Sequence, residues 1–307
     1  MDLTIIIVNW NTRDLLIDCL NSIQENLGTV PTPQTETFVV DNASSDGSAE
    51  AVRSSFPRVH LIENRDNVGF SRANNQAAEL AQGKYVLLLN PDTMLQPSAI
   101  KTMIAYLDSH DYVGAVGPRI VNPDGTVQVS IYPQPTLLRE TWRLFHLDRI
   151  VPYGSYSTSI LDSESPRVVD ILMGVCIMLR REIVQNLGLF DEQFFVFSED
   201  FDMCVRIRKA GWQIHWLPKA EITHHESQST KQIPDEMFLE LYRNKVKFFR
   251  KHYGDFSATL YKVLLFFVSL TRYIPGWVGG KTPVFQNQNM SSKSIQYRKL
   301  ITALPDF

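Results

Sequence analysis

The sequence predicts an α/β fold in which a mainly parallel central sheet is flanked by helices and followed by a C-terminal helical extension. Short β-branched runs alternate with helical patterns in the first half of the chain, which indicates βαβ units. The length of 307 residues, 44% of them hydrophobic, supplies enough apolar material for one large domain or two small ones. A disordered chain is therefore excluded.

Four strands are predicted in the first half from apolar runs at residues 3–8, 37–40, 59–62 and 85–89. The first and the last are apolar throughout, which is typical of strands buried on both faces of a parallel sheet. The helical patterns between and after the strands cover residues 15–24, 48–56, 71–81 and 97–109. Pro97 favours the start of the last helix, because a first helical position does not need the missing N–H.

The second half of the chain is less regular. Residues 131–166 mix prolines, serines and tyrosines, so we expect an irregular insertion there. Regular signals return at residues 168–179, a helix is predicted from near Ser198, and a strand is predicted at 213–217. Residues 235–252 place aromatic and aliphatic side chains at helical spacing beside a basic face, which predicts an amphipathic helix.

Charge and cysteine content narrow the class of protein. The chain has 30 Lys and Arg residues against 33 Asp and Glu, a formal net charge of -3. This is not the basic footprint of a nucleic-acid-binding protein, whereas sugar, nucleotide and lipid partners stay open. The 3 cysteines are far apart and odd in number, which favours reduced thiols in the cytosol over a disulfide framework.

Neither a signal peptide nor a membrane-spanning segment is predicted. The N-terminus enters an apolar run without a preceding basic region or a cleavage site of small residues. The longest apolar stretch, residues 263–271, lies between Lys262 and Arg272 and falls far short of the roughly 20 residues of a spanning helix. A helix lying on an anionic membrane surface stays open, with residues 260–274 as the candidate.

Polar side chains follow each predicted strand of the first half at the point where the strand ends. In an open parallel sheet, ligands bind beyond the carboxyl ends of the strands, so these positions are candidate binding residues. The alternative is that they only form turns, since Asn and Asp side chains hydrogen-bond to the local backbone. The four segments are Asn9-Trp10-Asn11, Asp41-Asn42-Ala43-Ser44, Glu63-Asn64 and Asn90-Pro91-Asp92.

The loop after the first strand lacks the glycines that bind a dinucleotide or a phosphate in other folds. Neither a G-x-G-x-x-G nor a P-loop pattern occurs there, which argues against a dinucleotide-binding dehydrogenase. A bound diphosphate would need another source of positive charge, and a divalent cation held by Asp92 is the candidate. Magnesium or manganese is expected, because hard cations prefer carboxylate and phosphate oxygens.

Two further groups of residues are candidates for chemistry. Glu199 and Asp200 open a predicted helix, where acidic residues are ordinary because the helix dipole favours negative charge. The functional alternative is that a carboxylate kept ionised there accepts a proton from a hydroxyl. His224 and His225 lie on an extended segment and point to opposite sides, so at most one of them meets a metal ion. The sequence leaves open which one.

Taken together and in this order, the motifs resemble those of the inverting, metal-dependent glycosyltransferases of family 2, which have the GT-A fold. The resemblance covers about residues 3–229. Each motif is weak alone, whereas their joint occurrence in one order is specific. The Asn-Pro-Asp sequence at residues 90–92 is similar to that of the rhamnosyltransferase-like branch. The matching segments are 4–11, 40–47, 67–75, 89–93, 174–182, 188–195, the helix of Glu199 and Asp200, and His224.

The resemblance implies a role for each matching residue of the donor side. Asp41 would hold the nucleotide base, and the segment 8–11 would line the base and the ribose. Gly174 and Arg206 would lie at the donor sugar and the acceptor. The implied nucleotide-binding residues are Val8, Asn9, Trp10, Asn11, Asp41, Asn42, Asn67, Gly69, Asn74 and Asn90.

The resemblance also implies a metal site and a catalytic base. Asp92 would be the second acid of the family's metal-binding Asp-x-Asp, and His224 would be a further ligand of the metal or the diphosphate. This sequence departs from the pattern at its first acid, where Asn90 stands. With one fewer carboxylate, a Mg²⁺ or Mn²⁺ ion would be loosely held until the sugar nucleotide supplies its phosphate oxygens. Asp200 would be the catalytic base, with Glu199 as its neighbour.

The resemblance implies a transferase domain over residues 1–230, with a nucleotide-binding half at 1–115 and an acceptor and catalytic half at 116–230. Residues 231–307 would form the helical extension. The expected reaction moves rhamnose from dTDP-rhamnose to a cell-envelope or exopolysaccharide acceptor, either a saccharide or a lipid-linked saccharide. A UDP-hexose or UDP-N-acetylhexosamine transferase of the same family and an inactive nucleotide-sugar-binding subunit are the alternatives. We expect a cytoplasmic enzyme whose C-terminal segment contacts the inner face of the cell membrane.

Overall fold

The computed structural model describes residues 1–28, 33–156, 158–225, 232–279 and 288–307, with side chains described except at 158–159, 275–279 and 288–292. The strands are β1 Leu3–Asn9, β2 Thr35–Asp41, β3 His60–Glu63, β4 Tyr85–Leu89, β5 Thr93–Leu95, β6 Val113–Val121, β7 Val127–Gln128, β8 Ile131–Tyr132, β9 Arg167–Val168, β10 Ile171–Leu172, β11 Cys176–Arg180 and β12 Gln213–His224. The α-helices are α1 Arg13–Leu27, α2 Ser48–Ser55, α3 Phe70–Ala78, α4 Ala99–Ser109, α5 Leu137–Leu144, α6 Thr158–Leu161, α7 Arg181–Leu187, α8 Glu199–Lys209, α9 Pro234–Gly279 and α10 Gln288–Ala303.

Ten of the strands form one sheet, in the order β3-β2-β1-β4-β11-β6-β12-β5, with β7 paired to β6 and β9 paired to β12. The neighbours β3, β2, β1 and β4 run parallel to one another, as do β6 and β12. Strand β11 is antiparallel to both β4 and β6. The predicted α/β fold with a mainly parallel central sheet is therefore confirmed, and the first four strands end at the same edge.

The centre of the sheet is the most deeply buried part of the fold. Every residue of β1 and of β4 is buried, as the continuous apolar runs predict. Apolar residues of α1 and α4 join the core of the sheet, with Leu16, Leu20 and Met103 almost wholly excluded from solvent. Burying such side chains supplies about 25 cal/mol per Å² of apolar area removed from water, which holds the strand ends in fixed positions.

The structure differs from the sequence prediction at three element boundaries. The regular signals at residues 168–179 correspond to no single element but to parts of β9, β10 and β11, and the backbone N–H of Gly174, between β10 and β11, donates to Asp200 of α8. Helix α4 begins at Ala99, since Ser98 has a left-handed backbone with φ of 69° and Pro97 lies in the turn before it. Strand β12 continues beyond residue 217 to His224, with an irregularity in its pairing between Leu217 and Glu221.

The chain divides into two compact units. The first unit consists of Met1–Gln134, Tyr156–Phe195 and Glu199–Gln232. The second unit consists of Pro135–Ser155, Val196–Ser198 and Ile233–Phe307. Part of the predicted insertion thus belongs with the C-terminal helices and not with the preceding sheet. The predicted boundary at residue 230 lies outside the described residues.

The second unit is helical and has its own core. Gly254, with φ of 84°, interrupts α9 and separates it into two helical parts. Phe249, Tyr261 and Leu265 of α9 pack with Leu300 of α10 in this core. The sequence prediction of a C-terminal helical extension is confirmed.

Candidate functional site

The carboxyl ends of β1 and β2 bring together the first two polar segments of the sequence. Asn9 and Asp41 are opposite each other in the parallel register, and Asn9 Nδ2 donates a hydrogen bond of 3.1 Å to Asp41 Oδ1. The second carboxylate oxygen, Asp41 Oδ2, accepts the backbone N–H of Ser44 at 3.0 Å. Both side chains are buried, so the loop after each strand holds the other in place.

The loop after β1 is fixed by hydrogen bonds to the loop after β2. Asn11 has a left-handed backbone, with φ of 51°. Its N–H donates to Ser44 Oγ at 2.9 Å, and its side-chain Oδ1 accepts the N–H of Ser45 at 2.7 Å. Val8 is buried and Trp10 is half-buried. The segment from residue 8 to residue 11 therefore presents an ordered surface at the sheet edge.

Asn42 organises the turn that leads into α3. Its Nδ2 donates to Asn67 Oδ1 at 2.7 Å, and its Oδ1 accepts the backbone N–H of Val68 at 3.0 Å. Gly69, with φ of 87°, then lies so close to Phe195 that a Cβ would approach its Cδ2 to 2.6 Å. Asn74 is buried and donates within α3 to the carbonyl of Phe70. Asn42, Asn67 and Gly69 therefore fix the backbone of the turn before α3.

Asp92 and His224 meet where β5 pairs with the end of β12. His224 Nε2 lies 3.3 Å from Asp92 Oδ1, and both residues are buried. His225, in contrast, is half-buried and donates its backbone N–H to the carbonyl of Asp92 at 2.9 Å. Of the two adjacent histidines, His224 is therefore the one whose ring faces the carboxylate.

Gln128 of β7 holds the ring of His224 from its other side. Gln128 Nε2 donates to two acceptors, the carbonyl of His224 at 2.9 Å and Oδ1 of Asn122. Its Oε1 is thus the atom 2.9 Å from His224 Nδ1, and it must accept a hydrogen from that nitrogen. Nε2 is then the ring nitrogen that faces the Asp92 carboxylate. A proton or a bound cation between this nitrogen and the carboxylate would stabilise the pair.

Asn90 links this pair to the neighbouring strand. Its backbone N–H donates to the carbonyl of Val175 at 2.9 Å, just before β11 begins. Its side-chain Oδ1 is buried and has no hydrogen-bond partner among the described residues. A buried amide oxygen without a donor costs free energy, and its place two residues before Asp92 fits a bound ligand that would satisfy it.

The Asp200 carboxylate lies at the start of α8 and is held by backbone donors. Gly174 N–H donates to Asp200 Oδ2 at 2.8 Å, and Phe201 N–H donates to Oδ1 at 2.8 Å. Burial nevertheless dominates, and it raises the pKa of Asp200 to about 6. The group therefore changes its protonation state in the range where a general base operates.

Glu199, directly before Asp200, is buried in a different way. Over the residues that the structure describes, its Oε2 has no hydrogen-bond partner. Burial first, and then the charge of Asp200, raise the pKa of Glu199 well above its ordinary range. Two adjacent buried carboxyl groups share one negative charge more readily than they hold two, and of the two it is Glu199 whose partly unsatisfied burial favours the protonated form.

Arg206 is on the same helix, but its guanidinium is occupied with the backbone. It donates to the carbonyls of Leu187, Gly188 and Leu189 and forms an ion pair of 2.8 Å with the buried Asp202. These contacts hold the turn after α7 against α8. Arg206 lies more than one helical turn after Asp200 on α8. Its guanidinium supports the loop after α7 and does not extend towards Gly174.

Most of the residues predicted for the site share one edge of the sheet. Asp200 binds Gly174, the next residue Val175 accepts from Asn90, and Asn90 stands two residues before Asp92. Asn9 and Asp41 end the adjacent parallel strands β1 and β2. The acids at 41, 92 and 200 therefore lie along one edge, not on opposite sides of the sheet.

The sequence prediction missed Gln128. This residue belongs to a strand of two residues inside a stretch without a readable motif, and its contact with His224 spans 96 positions of sequence. Pairing of β7 with β6, the neighbour of β12, places it there. No local signal in a single sequence reports such a contact.

The sequence of this chain is similar to those of known glycosyltransferases. The profile described as Glycosyl transferase family 2 matches residues 4–188. The N-acetylglucosaminyl-diphospho-decaprenol L-rhamnosyltransferase of Mycobacterium tuberculosis is 30% identical over 238 residues, covering 73% of this chain and 77% of that protein. Rhamnosyltransferase WbbL of Escherichia coli K12 is 28% identical over 177 residues, covering 52% of this chain and 63% of that protein.

A solved structure shows the same fold at low sequence identity. The mannosyltransferase PcManGT of Pyrobaculum calidifontis, in complex with GDP-Man and Mn²⁺, superposes with a TM-score of 0.57 and 17% identity. The match covers 98% of this chain and 86% of that one. The likeness confirms the GT-A fold expected from the sequence.

Proposed function

The chain belongs to the family 2 glycosyl transferases, and we propose that it transfers rhamnose from dTDP-rhamnose to a lipid-linked saccharide of the cell envelope. It is a glycosyltransferase enzyme with relatives that act in the assembly of envelope saccharides. Two of these relatives are rhamnosyltransferases, and one of them is named for an N-acetylglucosaminyl-diphospho-decaprenol acceptor. These relatives favour rhamnose as the sugar and a polyprenyl diphosphate as the carrier.

One observation carries the proposal: the Asp200 carboxylate and the Asp92–His224 pair lie on the same sheet edge, joined through Gly174, Val175 and Asn90. Inverting transfer needs a proton acceptor on one side of the sugar and stabilisation of the leaving diphosphate on the other. The two groups are separate, so each can perform one of these tasks without neutralising the other.

We propose Asp200 as the general base. The acceptor hydroxyl oxygen bonds to the anomeric carbon, its proton passes to the Asp200 carboxylate, and the bond from that carbon to the diphosphate oxygen breaks. Burial raises the pKa of Asp200 to about 6, which makes it a stronger base than an exposed aspartate. A Cβ at residue 174 would lie 3.3 Å from Asp200 Cβ and 3.4 Å from Asp200 Oδ2, so a side chain at this position would narrow the space beside the carboxylate.

The residues after β1 and β2 fit the nucleotide of the donor. The Asp41 carboxylate accepts from Asn9 and from Ser44, which fixes its position at the end of β2. We propose that Asp41 binds the thymine base, with residues 8–11 beside the base and the ribose. Asn42, Asn67 and Gly69 shape the turn into α3, and in this proposal they act by positioning backbone.

The pair Asp92–His224 fits a divalent cation such as Mg²⁺ or Mn²⁺. Gln128 accepts from His224 Nδ1, which leaves Nε2 facing Asp92, and the buried Oδ1 of Asn90 has no hydrogen-bond partner in the described part of the chain. Among the described residues no group of three or more His, Cys, Asp or Glu side chains could hold a metal ion alone. Phosphate oxygens of the donor would complete the ligand set, as is usual for Mg²⁺. Such an ion supplies Lewis-acid stabilisation of the leaving diphosphate.

We further propose that the enzyme is cytoplasmic and peripheral on the inner face of the cell membrane. A polyprenyl diphosphate acceptor is confined to the bilayer, whereas a nucleotide sugar is soluble. An enzyme that joins the two must reach the bilayer surface from the compartment of the donor. The second unit, with its C-terminal helices, is the part of this chain proposed to make that contact.

A ligand screen followed by a transfer assay tests the proposal. Thermal shifts of the protein with Mn²⁺ are measured for dTDP-rhamnose, UDP-glucose, UDP-galactose and UDP-N-acetylglucosamine. A ligand that binds only the folded state stabilises it by about 2.7 kcal/mol at a hundredfold excess over Kd, and we expect the largest shift with dTDP-rhamnose. Release of dTDP should then depend on an N-acetylglucosaminyl-diphospho-polyprenol acceptor.

The outcomes separate the alternatives. A larger shift and faster turnover with a UDP sugar would replace rhamnose with that sugar and keep the transferase mechanism. Binding of a sugar nucleotide without release of the nucleoside diphosphate, with all acceptors tried, would indicate a binding subunit. The joint presence of Asp41, Asp92, Asp200 and His224 at one sheet edge argues for the enzyme.

A further inference from the structure

The two units of the chain carry opposite charge. The second unit contains 14 Lys and Arg residues against 7 Asp and Glu, a formal charge of +7, which leaves -10 on the first unit out of the total of -3. Between residues 256 and 305 there are six Lys and Arg residues and no acidic residue. Such a segregation of charge attracts the second unit to an anionic surface.

The second half of α9, after the interruption at Gly254, has two apolar faces. One face packs into the core of the second unit through Ala258, Tyr261, Leu265 and Val268, all of them buried. The opposite face is exposed. Its members follow the helical spacing of four, three and four residues, and their exposed fractions are 80% for Phe256, 39% for Leu260, 44% for Val263 and 57% for Phe267.

This exposed stripe, Phe256, Leu260, Val263 and Phe267, is not an ordinary surface. Single exposed apolar residues are common on soluble proteins, but an aligned row of them marks a contact site. The stripe belongs to a unit with a net positive charge, and Lys293 and Arg298 on α10 of this unit are exposed. An apolar row on a basic unit is the pattern of a helix that lies in the interface of an anionic bilayer.

The segment before α9 in the same unit adds to the apolar surface. Arg272 of α9 donates to the carbonyl of Leu144 and bonds His146 at 3.0 Å, which ties the loop after α5 to this helix. Phe145 and Ile150 in that loop are 49% and 79% exposed. The loop therefore provides further exposed apolar side chains in the second unit.

By length and composition, the described part of the chain has one helix that could cross a membrane, with a mean hydropathy of 1.2 over its most apolar window. Packing favours a different arrangement. Gly254 interrupts the helix, and Lys262 divides the apolar part that follows. Tyr261, Leu265 and Val268 are already buried against the helix's own unit. With one face occupied and one open, the helix suits an orientation parallel to the membrane plane.

We propose that the stripe Phe256, Leu260, Val263 and Phe267 docks the protein on an anionic phospholipid bilayer, with the second half of α9 lying in the headgroup region. The charge of the unit disfavours the main rival occupant, since a second copy on this stripe would bring two units of +7 together. Docking would bring a lipid-linked acceptor within reach of the enzyme, and in this respect it rests on the proposed function.

Sedimentation with vesicles tests the docking without donor or acceptor. The full chain is mixed with vesicles of phosphatidylcholine alone or of phosphatidylcholine with phosphatidylglycerol. We expect binding to the anionic vesicles, weakened at about 1 M NaCl, where the Debye length falls to about 3 Å. The variant F256S/F267S should lose at least about tenfold in partition coefficient, because two apolar anchors no longer enter the interface.

A matched control uses exposed apolar residues of the first unit. Leu80 and Tyr112 are 53% and 54% exposed, and L80S/Y112S should partition like the wild type. Both variants should keep the melting temperature of the wild type, since all four positions are exposed. Transfer to a short-chain, water-soluble acceptor should be unchanged in F256S/F267S, whereas transfer to a long-chain acceptor in vesicles should fall.

Four results would overturn the docking proposal. They are equal partitioning of F256S/F267S and wild type, equal binding to neutral and anionic vesicles, a wild-type dimer that F256S/F267S abolishes, and resistance of the bound protein to alkaline carbonate extraction. The third would assign the stripe to a second copy, and the fourth would indicate a spanning helix. Absence of transfer to every acceptor would count against the proposed function instead, because vesicle binding is measured independently.

Discussion

Two acid groups on the same sheet edge have opposite surroundings. Asp200 is held by the backbone N–H groups of Gly174 and Phe201 in a site so dry that its pKa rises to about 6. Asp92 faces the ring of His224, which Gln128 fixes from behind. Identical side chains thus acquire different chemistry from their neighbours. The difference suggests a division of work, in which Asp200 accepts a proton and Asp92 serves the diphosphate side.

The largest effect is expected at Asp200. Asp200→Asn keeps the shape of the side chain but removes the proton acceptor, so we expect kcat to fall by about 10² to 10⁴. Donor binding, measured calorimetrically with dTDP-rhamnose and Mn²⁺, should stay within a few-fold of wild type. Loss of donor affinity in this variant would place Asp200 on the donor side and erase the proposed division of work.

The next largest effect is expected at the Asp92 side of the comparison, where Gln128 orients the ring of His224. Gln128→Leu removes the acceptor of the Nδ1 hydrogen, which frees the ring to rotate or change tautomer. Loss of a partner that orients a metal-ligating histidine costs about 10- to 100-fold in metal affinity. We expect a loss of this size in Mn²⁺ affinity, titrated calorimetrically in the presence of dTDP, with little change in melting temperature.

Gln128→Glu is the matched control for that prediction. It restores an acceptor for Nδ1 but replaces the Nε2 donor to the His224 carbonyl and to Asn122 Oδ1 with an oxygen, so it should recover part of the Mn²⁺ affinity that Gln128→Leu loses. If leucine and glutamate weaken Mn²⁺ binding alike, the amide acts through its bonds to Asn122 and to the His224 carbonyl. Gln128 would then have no orienting role for the ring.

A third effect comes from pH. Burial raises the pKa of Asp200 to about 6, and a general base works only in its ionised form. The rate should therefore be constant above this value and fall about tenfold for each pH unit below it. The pH dependence of kcat/KM between pH 4.5 and 8 would show this limb. A limb near the ordinary value of about 3.9 for aspartate would show that the site is wetter than its burial suggests.

Much of this site could be predicted from sequence because binding residues follow the carboxyl ends of the strands. The runs at β1 and β4 are apolar throughout, so their burial and parallel pairing are strongly indicated, and the polar residues after them must share one edge. Asp41 and Asp92 are predictable in this way. Asp200 is predictable only from the resemblance, because acids at a helix start are ordinary by themselves.

The rest depends on contacts between residues that are distant in sequence. Gln128 reaches His224 through the pairing of a two-residue strand. Arg206 lies on the predicted helix, but its guanidinium donates to three backbone carbonyls, those of residues 187–189 at the end of α7 and just after it. Residues 135–155 join the C-terminal unit partly because the buried Glu140 accepts from Lys245 Nζ at 2.6 Å. None of these pairings leaves a periodic signal in one sequence.

The smallest effect is expected at Glu199, and it tests whether Asp200 alone accepts the proton. Burial and the charge of Asp200 raise the pKa of Glu199 well above its ordinary range, so this side chain is already neutral when Asp200 is ionised. Glu199→Gln replaces one neutral group with another of the same shape. We expect kcat within about threefold of wild type, because general-base catalysis by Asp200 is retained.

Glu199→Asp serves as the contrasting variant, since it keeps the acid but moves the carboxyl group away from its buried position. If Glu199→Gln instead loses as much activity as Asp200→Asn, Glu199 would have to be ionised in the working enzyme. The proton acceptor would then belong to the pair as a whole, and the acid limb of the rate profile would report a shared proton rather than Asp200 alone.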